Sequence, residues 1–128
     1  MLDNLNILNL ASAMARHAAA RHQVISENIA NADTSNYRAK DLEPFSEAYS
    51  RMAKQFNQTG DRSPFSGSEP PWRVNLIDTP GMESPNGNNV SLEDQMMRSI
   101  ETQGDHETAT LIYKKSIDIL RLAVRGRA

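Results

Sequence analysis

The three histidines are the first residues whose chemistry could be catalytic or metal-binding. His17 and His22 are separated by five positions, which places them about 140° apart around a helix, so they do not share a face. Helical metal ligands need spacings of three or four residues. His106 lies far along the chain, and the chain has no cysteine. We interpret all three as helix-surface or seam residues, and the sequence predicts neither a metal nor a cofactor.

Neighbouring carboxylates form three further candidate sites, since paired acids can serve as general acid and base. The sequence offers no flanking group to shift a pKa or to form a pocket around them. It also has no nucleophile elbow, phosphate-binding loop or dinucleotide fingerprint. We therefore expect solvated faces and helix caps, no enzymatic activity and no small-molecule ligand. The pairs are Asp41 with Glu43, Glu93 with Asp94, and Asp105 with Glu107.

The composition limits how much core one chain can form. The 128 residues are 38% hydrophobic and 5% aromatic, whereas ordering each residue costs about 1–2 kcal/mol of backbone entropy. We expect a marginal monomer that gains stability by association. A net charge of −2 is no footprint for a nucleic-acid partner. The first residues lack the pattern of a cleaved signal peptide, and no stretch is apolar enough to span a membrane.

Two long stretches, one near each end of the chain, predict helices. Residues 2 to about 32 contain no Gly or Pro, and their apolar and small side chains recur every three to four positions. Ser91 and Asp94 form a predicted capping box, after which the same rhythm runs to about Arg125. The positions that we expect to pack these helices are Leu5, Leu8, Ile25, Ile29, Met96, Tyr113, Ile117, Leu120 and Val124.

The second helix has two irregular features. Gly104 interrupts its middle at a cost of about 1 kcal/mol relative to alanine, which predicts a weak point or a kink. Basic residues crowd its carboxyl end, where cations suit the helix dipole. They are Lys114, Lys115, Arg121, Arg125 and Arg127.

The middle of the chain reads as loop. Residues 57–89 hold five of the six prolines and four of the six glycines. Residues 44–56 predict a short helix, and residues 72–78 a short strand or an extended arm. We therefore expect a mostly α fold with long terminal helices that form a coiled-coil-like bundle between subunits. Residues 1–34 would be one assembly helix, 35–89 a partly flexible insert with a possible β segment, and 90–128 the second assembly helix.

The first helix ends in the stretch NIANADTSNY, residues 28–37. Asn and Asp tolerate the left-handed conformation that ends helices, and Asp, Thr and Ser form local turns with the backbone. Tyr37 then supplies a rigid amphipathic anchor. Asn28 and Asn31 share one helical edge. Their amides either face solvent as a polar cap or bond across a subunit seam, and both interpretations stay open at this stage.

This stretch resembles the signature of flagellar basal-body rod and hook proteins. ENIANADTSNYRAKDLEPF, residues 27–45, is similar to the family's usual ANIANADTPGY(K/R)A(K/R)D, and GNNVSLEDQM, residues 87–96, to its C-terminal motif. Ser35 and Asn36 stand where the family usually has Pro-Gly, and asparagine suits the positive φ that this turn needs. By this resemblance the signature and assembly positions are Asn28, Ile29, Asn31, Asp33, Thr34, Tyr37, Asn88, Asn89 and Leu92.

The resemblance covers residues 1–50 and 85–128 and implies a structural role. Members are rod subunits that cross the periplasm, transmit motor torque, and leave the cytoplasm through the flagellar type III export apparatus without a cleaved signal. The chain most resembles a proximal rod subunit. Implied partners are FlgC and the distal rod proteins, the junction protein FliE, the export apparatus, and further copies of the chain. A FlgC-like subunit is the alternative within the family, and a soluble helical adaptor is the alternative outside it.

Overall fold

The computed structural model describes residues 2–59, 72–78 and 83–126, and of residues 2–6 and 55–59 the backbone alone. Its elements, in chain order, are α1 (Leu2–Ala30), β1 (Lys40–Leu42), α2 (Phe45–Thr59), β2 (Val74–Leu76) and α3 (Leu92–Arg125). The predicted class, mostly α with long terminal helices and a short β segment in the middle, is confirmed. Packing between subunits stays a prediction.

The two long helices pair within the chain in antiparallel orientation. Asn28 of α1 bonds to Gln95 near the start of α3, and Arg21, two turns earlier on α1, lies 3.6 Å from Glu101, farther along α3. The buried positions of the seam recur every seventh residue, which is the spacing of a helix pair. They are Ala11, Ala18 and Ile25 on α1, and Gln95, Thr102, Ala109 and Ser116 on α3.

The side chains of this seam are mostly small or polar, so the two helices approach closely and bury little apolar area. Half of the expected packing residues whose side chains are described lie outside the seam. Ile25 is buried, and Leu8, Ile117 and Leu120 are half-buried, but the rest are exposed, apart from Leu5, which lies outside the described side chains. The exposed ones are Ile29, Met96, Tyr113 and Val124.

Two adjacent stripes on α3 have the same periodicity, so spacing alone could not choose between them. The predicted stripe runs through Met96, Tyr113 and Val124, one or more positions away from the buried stripe. The structure buries the neighbouring stripe, on which Oε1 of Gln95 accepts from Asn28 of α1 while its Nε2 is buried without a hydrogen-bonding partner. A partnered amide and small side chains thus take precedence over apolar size.

The middle of the chain forms a small layer against α1. Strands β1 and β2 pair antiparallel, with Lys40 opposite Leu76 and Leu42 opposite Val74. The predicted segment at residues 72–78 is therefore a strand, whereas β1 was not predicted. Helix α2 confirms the expected short helix after Pro44. The loop-rich residues 60–71 and 79–82 lie outside the described part of the chain.

Helix α3 is capped and continuous as far as the structure describes it. Ser91 is its N-cap, and its hydroxyl accepts a hydrogen bond from the amide of Asp94 at 3.3 Å, as predicted. The helix runs through Gly104 without interruption, so the glycine does not break it. None of the helices in the described residues is both long enough and apolar enough to cross a membrane.

Two glycine-to-alanine substitutions should change stability in opposite directions. Gly87 has a φ of +84°, and a Cβ there would lie 2.4 Å from Oδ1 of Asn36. Gly87→Ala should therefore lower the free energy of unfolding by about 1–3 kcal/mol. Gly104→Ala meets nothing within 4 Å and should raise it by about 1 kcal/mol. Urea unfolding followed by circular dichroism measures both, and an equal response of the two variants would contradict this account.

Candidate assembly site: the signature turn and its amide network

A single asparagine joins the first helix to the first strand. Asn28 is 0% exposed, and its Nδ2 donates to the carbonyl of Lys40 at 2.7 Å while its Oδ1 accepts from the Lys40 amide at 3.0 Å. The side-chain amide therefore pairs with Lys40 as a neighbouring strand would. Nδ2 also donates to Oε1 of Gln95 at 3.0 Å, and Oδ1 accepts from the hydroxyl of Tyr37 at 3.2 Å. Four hydrogen bonds from three residues thus satisfy one buried amide.

Two asparagines of the C-terminal motif fix the same turn from the other side. Asn88 Nδ2 donates to the carbonyls of Asn31 and Thr34 at 2.8 and 2.7 Å. These carbonyls follow the end of α1 and also accept from the amides of the turn, Asn31 from Thr34 and Thr34 from Tyr37. Asn89 accepts from the amide of Ala39 at 2.6 Å and donates to the carbonyl of Ile77 at 3.0 Å. The two motifs, about 60 residues apart in sequence, are one network in space.

The turn itself depends on a left-handed residue. Asn36 has a φ of +63°, the only positive φ of a non-glycine residue in the part that the structure describes. The prediction that Asn36 takes the positive φ, at the position where the family usually has glycine, is confirmed. The amide of Asn36 donates to the carbonyl of Asn86 at 2.9 Å, and Gly87 packs directly against its side chain. The backbone of the C-terminal motif therefore lies close to Asn36, and this contact accommodates Ser35-Asn36 in place of the family's usual Pro-Gly.

From the sequence, the amides of Asn28 and Asn31 either face solvent as a polar cap or bond across a subunit seam. Neither interpretation describes both residues. Asn28 is fully buried within the chain, and its amide makes four hydrogen bonds there. Asn31 is nearer the polar-cap interpretation, since its Nδ2 donates to the carbonyl of Glu27 at 2.9 Å and its Oδ1 accepts from Thr34. Asp33 and Ile29 are exposed beside this network, and so is Leu92 at the start of α3.

A charged cluster holds the same three elements together. Asp41 accepts from Nε of Arg21 at 3.0 Å on α1 and from Arg98 on α3. Burial alone lowers the pKa of Arg21, but the hydrogen bond and charge of Asp41, with the charge of Glu101, outweigh it and raise the pKa above its ordinary value. Both guanidinium groups thus stay charged, and Asp41 links α1, β1 and α3.

The expectation of solvated carboxylates is wrong for two of the six. Asp41 lies between two arginines, and Glu43 is 7% exposed and pairs with Arg51. The two arginines of Asp41 are 20 and 57 positions away in sequence, whereas Arg51 follows Glu43 by eight positions on α2, and no local spacing rule indicated any of these pairs. Asp94 pairs with Arg98 four residues on, while Glu93, Asp105 and Glu107 lie on exposed surface.

The histidines occupy seam and surface positions. His17 is buried, its Nε2 lies 2.7 Å from the carbonyl oxygen of Glu43, and its ring meets those of Phe45 and Trp72 edge-on. It therefore fixes α1 to the start of α2. His22 and His106 are exposed. No group of three or more potential ligands is placed to hold a metal among the described residues.

The geometry is that of a structural joint between α1, β1 and α3. The comparisons with known proteins indicate which kind of protein this chain resembles. The family model described as "Flagella basal body rod protein" matches residues 7–38, which include the turn and Asn28. The flagellar basal body rod protein FlgB of Aquifex aeolicus (strain VF5) is 24% identical over 99% of this chain and 99% of its own length. The FlgB of Agrobacterium fabrum (strain C58) is 25% identical over 97% and 96%.

The chain is similar to flagellar basal-body rod proteins, with the FlgB likeness running over almost its whole length. It is a structural subunit of the flagellum, and the predicted resemblance to a proximal rod subunit is confirmed at the level of its FlgB relatives. The signature asparagines of this rod subunit hold its fold together by hydrogen bonds to backbone groups. Gln95 and Asp41 act with them and were not predicted as site residues, although both stand inside the motif stretches.

Asn28→Asp should destabilise the rod subunit far more than Asn31→Asp. The first change removes the donors to Lys40 and Gln95 and buries a charge, which should cost about 3 kcal/mol or more of unfolding free energy. The second removes one exposed donor to Glu27 and should cost less than about 1 kcal/mol. Urea denaturation of both proteins gives the comparison. Equal losses of unfolding free energy in the two variants would show that Asn28 does not hold α1 to β1 and α3.

Tyr37 should make the fold sensitive to alkaline pH. Burial, with the charge of Glu27, raises the pKa of Tyr37 above its ordinary value, so the folded chain keeps the phenolic proton to higher pH than the unfolded chain. This contribution is fully present below about pH 10 and is lost as the pH rises through the folded pKa.

The measurement is the unfolding free energy of the parent chain and of Tyr37→Phe between pH 8 and 11.5. The difference between the two should shrink above about pH 10. Tyr113→Phe, at an exposed position of α3, is the matched control and should change the unfolding free energy at pH 8 by less than about 0.5 kcal/mol. A constant difference between the parent and Tyr37→Phe across the range would contradict the assignment.

Proposed function

We propose that the chain is a proximal rod subunit that assembles by packing the outward faces of its two terminal helices against neighbouring subunits. The observation that carries this proposal is the distribution of apolar side chains on α3. Its inward stripe is small and polar, while its large side chains point outward. Those that are more than half exposed are Leu92, Met96, Met97, Ile100, Leu111, Ile119, Leu122 and Val124.

The energetics favour several neighbours over a single partner. Burying four large apolar side chains contributes about 6–12 kcal/mol, whereas association costs roughly 4–15 kcal/mol in lost freedom. One such contact therefore leaves little net free energy of association. Because α3 exposes twice that number along its length, contacts on more than one side are needed to bury them. A tubular bundle supplies such contacts, and it supports the packing roles proposed for Met96, Tyr113 and Val124.

The amide network suits the transmission of torque. A shaft must resist bending at the joint between each helix and the rest of its subunit. Here Asn28, Asn88 and Asn89 fix that joint by hydrogen bonds to backbone groups, which have little freedom to move. We propose that the signature residues hold the angle between α1 and the β layer, and that the helices carry the load.

The partners follow from the family. Other rod subunits are the neighbours that the outward faces would contact, with FlgC and the distal rod proteins as the specific candidates. We further propose that the junction protein FliE lies at one end, that the flagellar type III export apparatus delivers the subunit, and that the assembled rod lies in the periplasm. Asp33, Ile29 and Leu92, exposed around the joint, are candidates for contacts with these neighbours.

Two substitutions on the outer face of α3 test the proposal. Leu111→Asp with Leu122→Asp should change the unfolding free energy of the isolated chain by less than about 0.5 kcal/mol per site, because both side chains are exposed. In the bacterium that carries the gene, the same pair should abolish rod assembly and swimming, because charged side chains would have to be buried between subunits.

The matched control is Gln103→Asp with Thr108→Asp, which adds the same charge at exposed polar positions of the same helix. That strain should swim normally. Motility is read in soft agar, and assembly by recovery of the subunit in isolated basal bodies. Normal swimming of the Leu111 and Leu122 variant, or a defined 1:1 or 2:2 complex as an adaptor would form, would contradict the proposal.

A further inference from the structure

An apolar groove lies between α3, the seam and the start of α2. It encloses about 870 Å³, and its apolar lining comes from Met14 of α1, from Leu42 and Phe45, and from Met97 and Ile100 of α3. Met97 and Ile100 are each 71% exposed, the highest values among the large apolar side chains described. A groove of this kind accepts the apolar face of another helix.

The groove carries a net negative charge. Four carboxylates and two guanidinium groups line it, which leaves −2 with the histidine neutral. Arg21 and Arg98 are both bonded to Asp41, and Arg98 also pairs with Asp94. Glu101 lies 3.6 Å from Arg21 but keeps 64% of its side chain exposed, and Asp105 is also exposed, so these two are the accessible charges of the rim. The groove suits an apolar helix that carries cations.

The carboxyl half of α3 has these properties. From Thr110 to Arg125 it carries four basic residues and one acidic residue, a net charge of +3. Leu122 is 67% exposed and Ile119 54%. From the sequence, all the basic residues of this end are attributed to the helix dipole, but the dipole accounts for cations in the last turn only. Lys114 and Lys115 lie about three turns from the end, so that attribution does not hold for them. The basic half of α3 therefore has a charge pattern that its own helix does not explain.

No chain can fill its own groove with this segment. Ile100 and Leu122 belong to one continuous helix and are 22 residues apart, which is about 33 Å at 1.5 Å per residue. The two complementary surfaces of one molecule are thus held apart by a rigid element. A second copy of the chain brings both surfaces together with the right charge and shape, and it is the occupant that the structure supports.

We propose that the carboxyl half of α3 of one copy lies in the groove of the next, parallel to its α3 and displaced by about 22 residues, or about 33 Å. Leu122 then meets Ile100, Ile119 meets Met97, and Arg125 lies near Glu101. The contact is head-to-tail, so each copy keeps one surface free and the assembly stays open-ended. This inference rests on the proposed function and adds to it the polarity and the axial displacement of neighbouring copies.

Because the chain has no cysteine, single engineered thiols can test the displacement. Ile100→Cys and Leu122→Cys, carried on chains of different tag length and mixed under mild oxidation, should give the mixed disulfide. Neither variant alone should give a disulfide dimer, and Leu111→Cys alone should give none. Each variant is first checked by circular dichroism for the helical content of the parent chain.

Other outcomes overturn the proposal. Dimers of Ile100→Cys with itself indicate a parallel pair without displacement, and dimers of Leu111→Cys indicate a closed antiparallel pair. Absence of the mixed disulfide at millimolar protein also overturns it, including the case in which only a sibling rod subunit occupies the groove.

Charge reversal across the contact provides the matched control. Arg125→Glu on the Leu122→Cys chain should lower the yield of mixed disulfide at least fivefold, and Glu101→Arg on the Ile100→Cys chain should restore it. An unchanged yield would contradict the charge complementarity. A different result would refute the proposed function: a strain that lacks the gene and still builds rods. Motility loss in the outer-face variant without any mixed disulfide would refute the displacement alone.

Discussion

The bidentate pairing of one buried side-chain amide with one peptide unit, Asn28 with Lys40, is the interaction on which the rest of the structure depends. It replaces the strand that would otherwise cover the edge of β1, and it satisfies both backbone groups of Lys40. The same amide reaches Gln95 and Tyr37, so α1, the turn and α3 share one point. A polar group buried with every partner in place fixes one arrangement, because any displacement leaves several groups unpaired.

This polar joint lets the chain hold its helices together without using its large apolar side chains. Hydrogen bonds and the Arg21, Asp41 and Arg98 cluster define the seam near the joint, and small residues such as Ala18 and Ala109 continue it. The apolar area of α3 therefore stays available outside. The fold of the chain is thus set from within, and the large apolar side chains of α3 remain exposed, which suits the assembly that we propose.

Local signals in the sequence predicted the elements well. Ser91 as a cap, the helix after Pro44 and the positive φ at Asn36 each depend on residues close in sequence, and the structure has all three. Partners distant in sequence were not predictable. Asp41 meets Arg98 from 57 positions away, and strand β1 is held by Asn28, so neither periodicity nor propensity indicates them. The choice between two equivalent helical stripes also depended on such a partner.

The side-chain NH₂ protons of Asn28 give the most direct measurement of the joint. Hydrogen exchange of assigned asparagine side chains by NMR compares Asn28 with Asn31, whose amide is exposed. If Asn28 closes the structure as described, its protons exchange only through global unfolding, at a rate that tracks the unfolding free energy in urea. Exchange of Asn28 as fast as that of Asn31 under native conditions would show that the joint is open, and the account would be wrong.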